Sequence, residues 1–96
     1  MDNIRFQWDQ NKDLENYKKH KVSFVEAKTV FYDDNARLIY DPEHSVIEER
    51  YIILGISNKL KLLVVVHVYK ENDNVIRIIS ARKATKAEIK HYYEVE

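Results

Sequence analysis

The feature that most constrains the fold is the two-residue periodicity of the chain after residue 35. Four runs from there onward are rich in β-branched and aromatic residues and span 36–41, 49–57, 59–70 and 75–81. The connections "PEHSVI", "NK" and "ENDN" between them are short and polar, which suits antiparallel hairpins. These runs therefore predict an antiparallel sheet built as a meander of about four strands.

The N-terminal part of the chain predicts a short strand and two helices. "IRFQW" (4–8) alternates like a strand, and Asp9 after it can cap a helix over "QNKDLENYKKH". Ser23 and Glu26 have the spacing of a capping box, so a second helix should run from about Phe24 to Phe31. Both helices precede the sheet.

A third helix is predicted after the last strand. Thr85 and Glu88 in "TKAE" form another capping box, and the apolar stripe of this helix contains Ile89, Tyr92 and Tyr93. The order of elements predicts an α+β fold, in which the sheet packs against two N-terminal helices and one C-terminal helix. A chain of 96 residues buries one modest core, so we predict a single domain over residues 1–96.

The balance of charge limits how the chain could bind nucleic acid. Lysine plus arginine and aspartate plus glutamate both number 16, so the formal net charge is zero. Proteins that attract nucleic acid by bulk charge are usually basic. The charges are uneven, because residues 82–91 are mainly basic and residues 41–49 are mainly acidic. A nucleic-acid function must therefore depend on a local patch.

Several classes of protein are disfavoured by what the sequence lacks. It contains no cysteine, so it has no thiolate nucleophile and no disulfide. Its Asp, Glu and His residues show no spacing typical of a metal site, and no cofactor motif is present. The longest apolar run, "LLVVVHV", is far shorter than the roughly 20 residues of a membrane helix, and the N-terminus has no signal-peptide pattern. These features predict a cytoplasmic protein without metal or cofactor.

Strand alternation predicts a polar face on the sheet. If Ile52, Val66 and Ile78 face the helices, the opposite face receives an acid, an imidazole, two aromatic rings and a cation, namely Glu49, Tyr51, His67, Tyr69 and Arg77. A loop of about three residues, 71–73, would place His67 opposite Arg77. Such a set could perform acid–base chemistry on a phosphodiester or hold single-stranded RNA, with Arg82 and Lys83 at its edge.

Each of these residues also has a purely structural interpretation. His67 within an apolar strand fits a half-buried core histidine, and Arg77 fits a cross-strand partner of Glu49. Arg82 and Lys83 fit a polar strand end that precedes a capped helix and keeps an edge strand soluble. At a strand end these two side chains point to opposite faces, so at most one of them joins the face of Arg77 directly.

Three segments of the chain together resemble the BrnT family of type II toxins, which are small ribonucleases with a RelE-like fold. The segments are "FQWDQNKDLENYKKHKVSFVEAKTVFYDD", "YDPEHSVIEERYIILGIS" and "RIISARKATKAE", and the resemblance runs from about Ile4 to Tyr93. Its most specific motifs are "KH" followed by "VSF", "EER" before a long strand, and "RIISAR" before a Thr-capped helix. The familiar pattern has Gly after the Lys-His pair, where this chain has Lys21.

The resemblance implies a metal-independent endoribonuclease that inhibits translation. Because the sequence shows no spacing typical of a metal site, RNA cleavage would have to use the neighbouring 2′-hydroxyl as nucleophile. It also implies a cognate BrnA-like antitoxin with a DNA-binding ribbon-helix-helix segment, and an RNA substrate that could be ribosome-bound. For catalysis we predict acid, base and phosphate-binding roles shared among Arg77, Arg82, His67, Glu49 and Lys83. For RNA binding we predict Lys19, His20, Tyr51, Tyr69 and Lys86.

A second class of function fits the same sequence. A non-catalytic module that only binds a partner protein, or an inactive toxin homologue held by its partner, would have the same fold and the same uneven charge. Expression of the chain alone separates these classes, because an active ribonuclease toxin arrests bacterial growth and a binding module does not.

Overall fold

The fold follows from a computed structural model, which describes residues 4–41 and 48–94. In chain order the elements are β1 (Arg5–Gln7), α1 (Gln10–His20), α2 (Phe24–Thr29), a 3-10 turn (Val30–Tyr32), β2 (Arg37–Asp41), β3 (Arg50–Ile56), β4 (Leu62–Lys70), β5 (Val75–Lys83) and α3 (Lys86–Tyr93). The predicted α+β class, the order of elements and the three helices are confirmed.

Local capping chemistry explains where the helices begin. The Asp9 carboxylate accepts hydrogen bonds from the first turn of α1, and the Ser23 hydroxyl accepts one from the Glu26 amide at the start of α2. Thr85 and Glu88 form a complete capping box at the start of α3. Because each cap satisfies backbone N–H groups that have no partner inside the helix, the side chain fixes the helix start.

The five strands form one sheet in the order β1-β5-β4-β3-β2. Strands β2 to β5 are antiparallel neighbours, which confirms the predicted meander. Strand β1 pairs with β5 in parallel, so Arg5 lies opposite Val75 and Gln7 opposite Arg77. The sheet is therefore mixed, with the N-terminus at one edge and β2 at the other.

A β-bulge in β5 determines which side chains share a face. Val66 lies opposite Ser80 whereas His67 lies opposite Ile78, so Ile79 is the extra residue on β5. The predicted pairing of His67 with Arg77 is wrong, because Arg77 lies opposite Val68. The cause is a four-residue hairpin loop (71–74), one residue longer than predicted, which shifts the register by one.

The two faces of the sheet are covered by different helices. Helices α1 and α2 lie over the face that contains Val65 and Ile78, where Phe24 and Val30 form a fully buried core with them. The other face packs against α3 through Tyr92 and a cluster with Leu54 and Val64. The prediction that Ile52, Val66 and Ile78 together face the helices is therefore wrong. Alternation alone could not settle the choice because both faces of these strands are apolar.

Asn16 connects α1 to the bulged half of β5. Its side-chain nitrogen donates to the carbonyl oxygens of Val22 and Ala81 at 2.8 Å each, and its oxygen accepts from the Ala81 amide at 3.1 Å. The side chain is buried, so these bonds form away from water. The Asn16 side chain thus satisfies both backbone groups of Ala81, as a neighbouring strand would. Ala81 directly precedes Arg82.

Tyr92 anchors α3 against the sheet. Its hydroxyl donates to Asp33 Oδ2 at 2.5 Å, and the same carboxylate oxygen accepts from the Ile56 amide at 2.8 Å. Burial, followed by the hydrogen bond to Asp33, raises the pKa of Tyr92 to about 12. The Arg37 guanidinium binds the carbonyls of Tyr92 and Glu94 at the end of α3. These contacts hold α3 against the face of the sheet that lies away from α1 and α2.

Lys21 ends α1 in a left-handed conformation, with φ 61° and ψ 29°. Its amide donates to the Tyr17 carbonyl at 2.8 Å, the bond that closes the C-terminus of the helix. Glycine adopts this conformation without the steric cost that a side chain carries, about 1 kcal/mol. We expect Lys21→Gly to raise the free energy of unfolding by about 0.5–1 kcal/mol, measured by urea denaturation.

Lys18, exposed within the same helix, provides the matched control. Lys18→Gly should lower the free energy of unfolding by about 1 kcal/mol, since glycine is a poor helix former. If both substitutions lower the free energy of unfolding equally, the left-handed conformation of Lys21 carries no steric cost.

Candidate functional site

A cleft of about 350 Å³ opens on the face of the sheet away from α1 and α2. Its walls carry two guanidinium groups, one carboxylate and one hydroxyl above an apolar floor; the lining residues are Asp41, Arg50, Ile52, Val64, Val66, Ser80 and Arg82. These residues belong to β2, β3, β4 and β5, so the rigid sheet positions all of them. The arrangement can hold an anionic group over an apolar surface. We call it the arginine cleft.

Arg82 is oriented by a bidentate ion pair with Glu88. Its Nη1 and Nη2 atoms donate to Oε1 and Oε2 of Glu88, both at 2.8 Å. Hydrogen bonding from Arg82 lowers the pKa of Glu88 to about 2, and the same bond raises the pKa of Arg82. Glu88 Oε1 also accepts from the Thr85 amide at 2.8 Å. One carboxylate therefore closes the first turn of α3 and holds the guanidinium in place.

The bulge at Ile79 brings Arg77 and Arg82 to the same face of the sheet. They are five positions apart, so in a regular strand their side chains would point to opposite faces. With one extra residue between them, Arg77 lies opposite Val68 and Arg82 lies opposite Val64, on the face of the arginine cleft. Arg77 is half-buried, and its Nη1 donates to Gln7 Oε1 at 2.8 Å. It flanks the cleft rather than lining it.

His67 lies on the other face, inside the core. Its side chain is fully buried, its ring centroid is 4.8 Å from that of Phe31, and its Nε2 is 3.3 Å from the Tyr69 hydroxyl. Burial lowers the pKa of His67 to about 4, so the imidazole is neutral at neutral pH. The predicted grouping of His67 with Arg77 is not present, because the two side chains lie on opposite faces of the sheet.

The buried imidazole makes stability depend on pH. An unfolded histidine binds a proton near its ordinary pKa of 6.5, whereas folded His67 does so only near 4. Because the unfolded state binds more protons between these values, stability should fall as the pH is lowered through this window, by at most about 3 kcal/mol. Urea midpoints measured from pH 7 to pH 4.5 test this expectation.

The matched variant for this measurement is His67→Gln, which keeps hydrogen-bonding capacity but cannot titrate. We expect it to lose the part of the pH dependence that His67 contributes, whatever its absolute stability. If the urea midpoint changes with pH equally in the variant and the wild type, the pH dependence comes from other groups.

Tyr51 and Tyr69 lie with His67 on the face covered by α1 and α2, and the centroids of the two tyrosine rings are 5.3 Å apart. Burial, with smaller effects from Tyr51 and Asp73, raises the pKa of Tyr69. Their surroundings are acidic, since a neighbouring hollow is lined by Glu48, Glu49 and Asp73 as well as by both rings. These two aromatic residues are thus separated from the arginine cleft by the thickness of the sheet.

The remaining predicted site residues are dispersed. Lys83 is exposed and lies opposite Leu63, on the face covered by α1 and α2. Lys86 is the exposed first residue of α3, two positions before Glu88. Lys19 and His20 end α1, and Glu49 is exposed immediately before β3. Of the residues predicted for catalysis, only Arg77 and Arg82 share the face of the arginine cleft, together with a residue that was not predicted, Arg50.

Sequence reasoning missed Asp41, Arg50 and Ser80 as site residues. Arg50 stands in the "EER" motif, which signalled a resemblance but no role, and it pairs with Asp41 across β2 and β3. Ser80 enters the cleft only because of the bulge at Ile79. The usable signal was the position of Asp41 and Arg50 at the ends of adjacent strands, which a hairpin brings opposite each other.

Neither a metal-binding cluster nor a membrane-spanning helix is present in the described ranges. Within residues 4–41 and 48–94, no group of three or more His, Asp or Glu side chains is placed to hold a metal ion. No helix in the same ranges has the length and apolar character needed to cross a membrane.

Fold and cleft together define a small α+β protein with a cationic cleft on one face of its sheet. The fold is similar to the 1.1 Å crystal structure of the Brucella abortus ribonuclease toxin BrnT, with a TM-score of 0.65 and 21% identity. The match covers 86% of this chain and 99% of that one. No curated protein matches the sequence.

The family model described as "Ribonuclease toxin, BrnT, of type II toxin-antitoxin system" matches residues 8–88. This range is most of the chain and includes β2, β3, β4 and β5, which form the arginine cleft. The chain belongs to the BrnT family of ribonuclease toxins of type II toxin-antitoxin systems. Membership in such a system implies an antitoxin partner.

Proposed function

We propose that this chain is an endoribonuclease that cleaves RNA in the arginine cleft by attack of the neighbouring 2′-hydroxyl on the scissile phosphate. The observation that carries the proposal is the convergence of Arg50 and Arg82 with Asp41 around one open cleft. Guanidinium groups bind phosphate oxygens well, since their planar donors match the geometry of the anion. Membership of the chain in a family of ribonuclease toxins supports the choice of RNA as substrate.

In the proposed reaction the Asp41 carboxylate takes the proton from the 2′-hydroxyl. The 2′-oxygen then forms a bond to phosphorus while the bond to the 5′-oxygen breaks, and the leaving oxygen takes a proton from water. Arg50 and Arg82 stabilise the extra negative charge on the phosphate oxygens as it develops. Glu88 keeps Arg82 in one orientation, so little side-chain freedom is lost when the phosphate binds.

The other predicted residues take smaller parts or none. Arg77 flanks the cleft and contacts a neighbouring phosphate, while Lys83 and Lys86 attract the RNA backbone near the end of β5. Glu49, exposed next to Arg50, is the alternative base. His67 is left out because it is fully buried on the other face. Tyr51 and Tyr69 are left out of RNA binding because acidic side chains surround them.

We propose further that the chain acts in the cytoplasm, where cleavage of free or ribosome-bound RNA inhibits translation. Its antitoxin would be a BrnA-like protein with a DNA-binding ribbon-helix-helix segment. Carboxylates of such a partner would suit the face that carries Arg77 and Arg82, because opposite charge both steers and orients association.

The proposal requires no metal ion. We expect the purified chain to cleave RNA in excess EDTA, and the product to end in a 2′,3′-cyclic phosphate or the 3′-phosphate derived from it. Internal attack by the 2′-hydroxyl produces these ends without a metal-activated water. Mass spectrometry of the cleaved ends gives the measurement. A 5′-phosphate product that forms only with added Mg²⁺ would contradict both the mechanism and its independence of metal.

A further inference from the structure

The edge strand β2 carries an unusual row of apolar side chains. Leu38, Ile39 and Tyr40 are consecutive and are 54%, 42% and 45% exposed. Among the described residues, β2 pairs only with β3, and no strand lies along its outer side. Edge strands are usually protected by charged residues or proline in the middle of the strand. Here the charged residues, Arg37 and Asp41, stand only at the two ends.

We propose that β2 pairs with β2 of a second copy of this chain, antiparallel and about a two-fold axis at Ile39. In this register Ile39 of one copy lies opposite Ile39 of the other, and Leu38 lies opposite Tyr40. Arg37 of each copy lies opposite Asp41 of the other, so opposite charges meet at both ends of the interface. A two-fold axis through the central residue of a five-residue strand generates all of these pairs at once.

Charge selects this arrangement over the parallel one. A parallel pairing of two β2 strands in register would place Arg37 opposite Arg37 and Asp41 opposite Asp41, and like charges directly opposite are destabilising. The antiparallel pairing converts both repulsions into attractions. It does not require either group to lack a partner in its own chain, because a carboxylate accepts several hydrogen bonds and a guanidinium has five donors.

A second copy fits this edge better than a strand from an unrelated protein. Any extended segment could satisfy the outward backbone groups of β2, but a second copy also supplies a charge of the opposite sign at each end of Arg-apolar-apolar-apolar-Asp. The interface is small, because a five-residue strand spans only about 17 Å. Its area therefore falls below the roughly 1,200 Å² of stable complexes, which implies a weak dimer that depends on concentration.

Pairing at this edge would extend the arginine cleft onto the second copy. Asp41 lines the cleft and lies opposite Arg50. In the dimer, Arg37 of the second copy lies on the other side of Asp41, so a cation from each copy flanks this carboxylate. The inference itself depends only on the chemistry of β2 and is independent of any nuclease activity.

Sedimentation equilibrium of the purified chain, from about 1 to about 300 μM, tests the dimer. The wild type should approach twice the monomer mass within this range. Ile39→Lys places two like charges against each other on the axis and should weaken association at least about 10-fold. Leu14→Lys on α1, which is 62% exposed, is the matched control and should associate like the wild type.

A charge-rescue series makes the register itself testable. Leu38→Lys and Tyr40→Glu should each weaken association. The double variant should recover it, because the new lysine of each copy then lies opposite the new glutamate of the other copy, which gives two ion pairs per dimer. Circular dichroism checks that each variant is folded, since Tyr40 packs 5.5 Å from Tyr51 between ring centroids.

Three results would overturn the inference. They are a wild type that stays monomeric throughout the range, an Ile39→Lys variant that associates as strongly as the wild type, and a double variant no better than the single ones. A monomeric chain whose β2 variants lose antitoxin binding would assign this edge to the antitoxin and would also reject self-pairing.

Discussion

Replacement of Arg82 by alanine is expected to lower the rate of RNA cleavage at least about 100-fold while the protein remains folded. The guanidinium lines the arginine cleft and is held by two 2.8 Å hydrogen bonds to Glu88, so it is already oriented before a substrate binds. A preorganised cation of this kind acts where negative charge develops on the phosphate. Arg50→Ala should have an effect of similar size, because Arg50 lines the same cleft.

The loss should come from chemistry rather than from unfolding. The Arg82–Glu88 pair is partly exposed, with side-chain exposures of 40% and 31%, and such pairs contribute at most about 1 kcal/mol to stability. Arg82→Lys should restore only part of the activity, since an ammonium group cannot reproduce the bidentate geometry. Arg77→Ala should cost less than Arg82→Ala, because Arg77 only flanks the cleft.

Arg5→Ala is the matched control for these substitutions. Arg5 also forms a 2.8 Å ion pair, with Glu71, but both side chains are more than 60% exposed and neither lines the cleft. Cleavage rates on one RNA substrate, together with growth arrest on expression, compare the variants. Wild-type rates in folded Arg82→Ala and Arg50→Ala proteins would remove the arginine cleft from the mechanism.

Replacement of Asn16 by alanine is expected to destabilise the protein by about 2–4 kcal/mol. The substitution removes hydrogen bonds at 2.8, 2.8 and 3.1 Å and leaves the Val22 carbonyl and both backbone groups of Ala81 without that partner. A buried polar group that loses its partner costs more than the hydrogen bond itself contributed. The urea midpoint, at constant denaturant slope, measures the loss.

Asn11→Ala provides the comparison, because Asn11 is exposed in the first turn of the same helix. Its loss should change stability by no more than about 0.5 kcal/mol. If the two variants are equally stable, the contacts of Asn16 with β5 do not contribute to the fold. Since Asn16 binds the residue next to Arg82, its variant should also reduce cleavage more than its stability alone explains.

Local chemistry predicted the elements of this fold well. The caps at Asp9, Ser23 and Thr85 need only a side-chain oxygen at the right spacing from a backbone N–H, which the sequence states directly. The faces of the sheet could not be predicted in the same way. Residues such as Ile52 and Ile53 are both apolar, so the position of α1 and α2, not the strand pattern, decides which one they cover.

The candidate site was predictable only in part, because the bulge depends on contacts distant in sequence. The extra residue at Ile79 brings Arg82 to the face of Arg77, whereas the four-residue hairpin loop sets the register that places Arg77 opposite Val68 rather than His67. The resemblance of "RIISAR" to a known family pointed to the two arginines, but no local pattern indicated that they share a face. Glu88 was predicted as a helix cap, and its second contact with Arg82 required the structure.

Because Glu88 contacts both Thr85 and Arg82, the orientation of Arg82 depends on whether the first turn of α3 is formed. The Glu88 carboxylate closes the first turn of α3 through Thr85 and also orients Arg82. Terminal turns open far more often than the core of a domain, on the scale of local rather than global unfolding. Each such opening releases the Arg82 side chain to many rotamers, and each closing restores a single one. If the cleft binds phosphate as proposed, the fraction of molecules in which Arg82 is oriented for binding is set by the opening equilibrium of the first turn of α3, which amide hydrogen exchange in that turn reports directly.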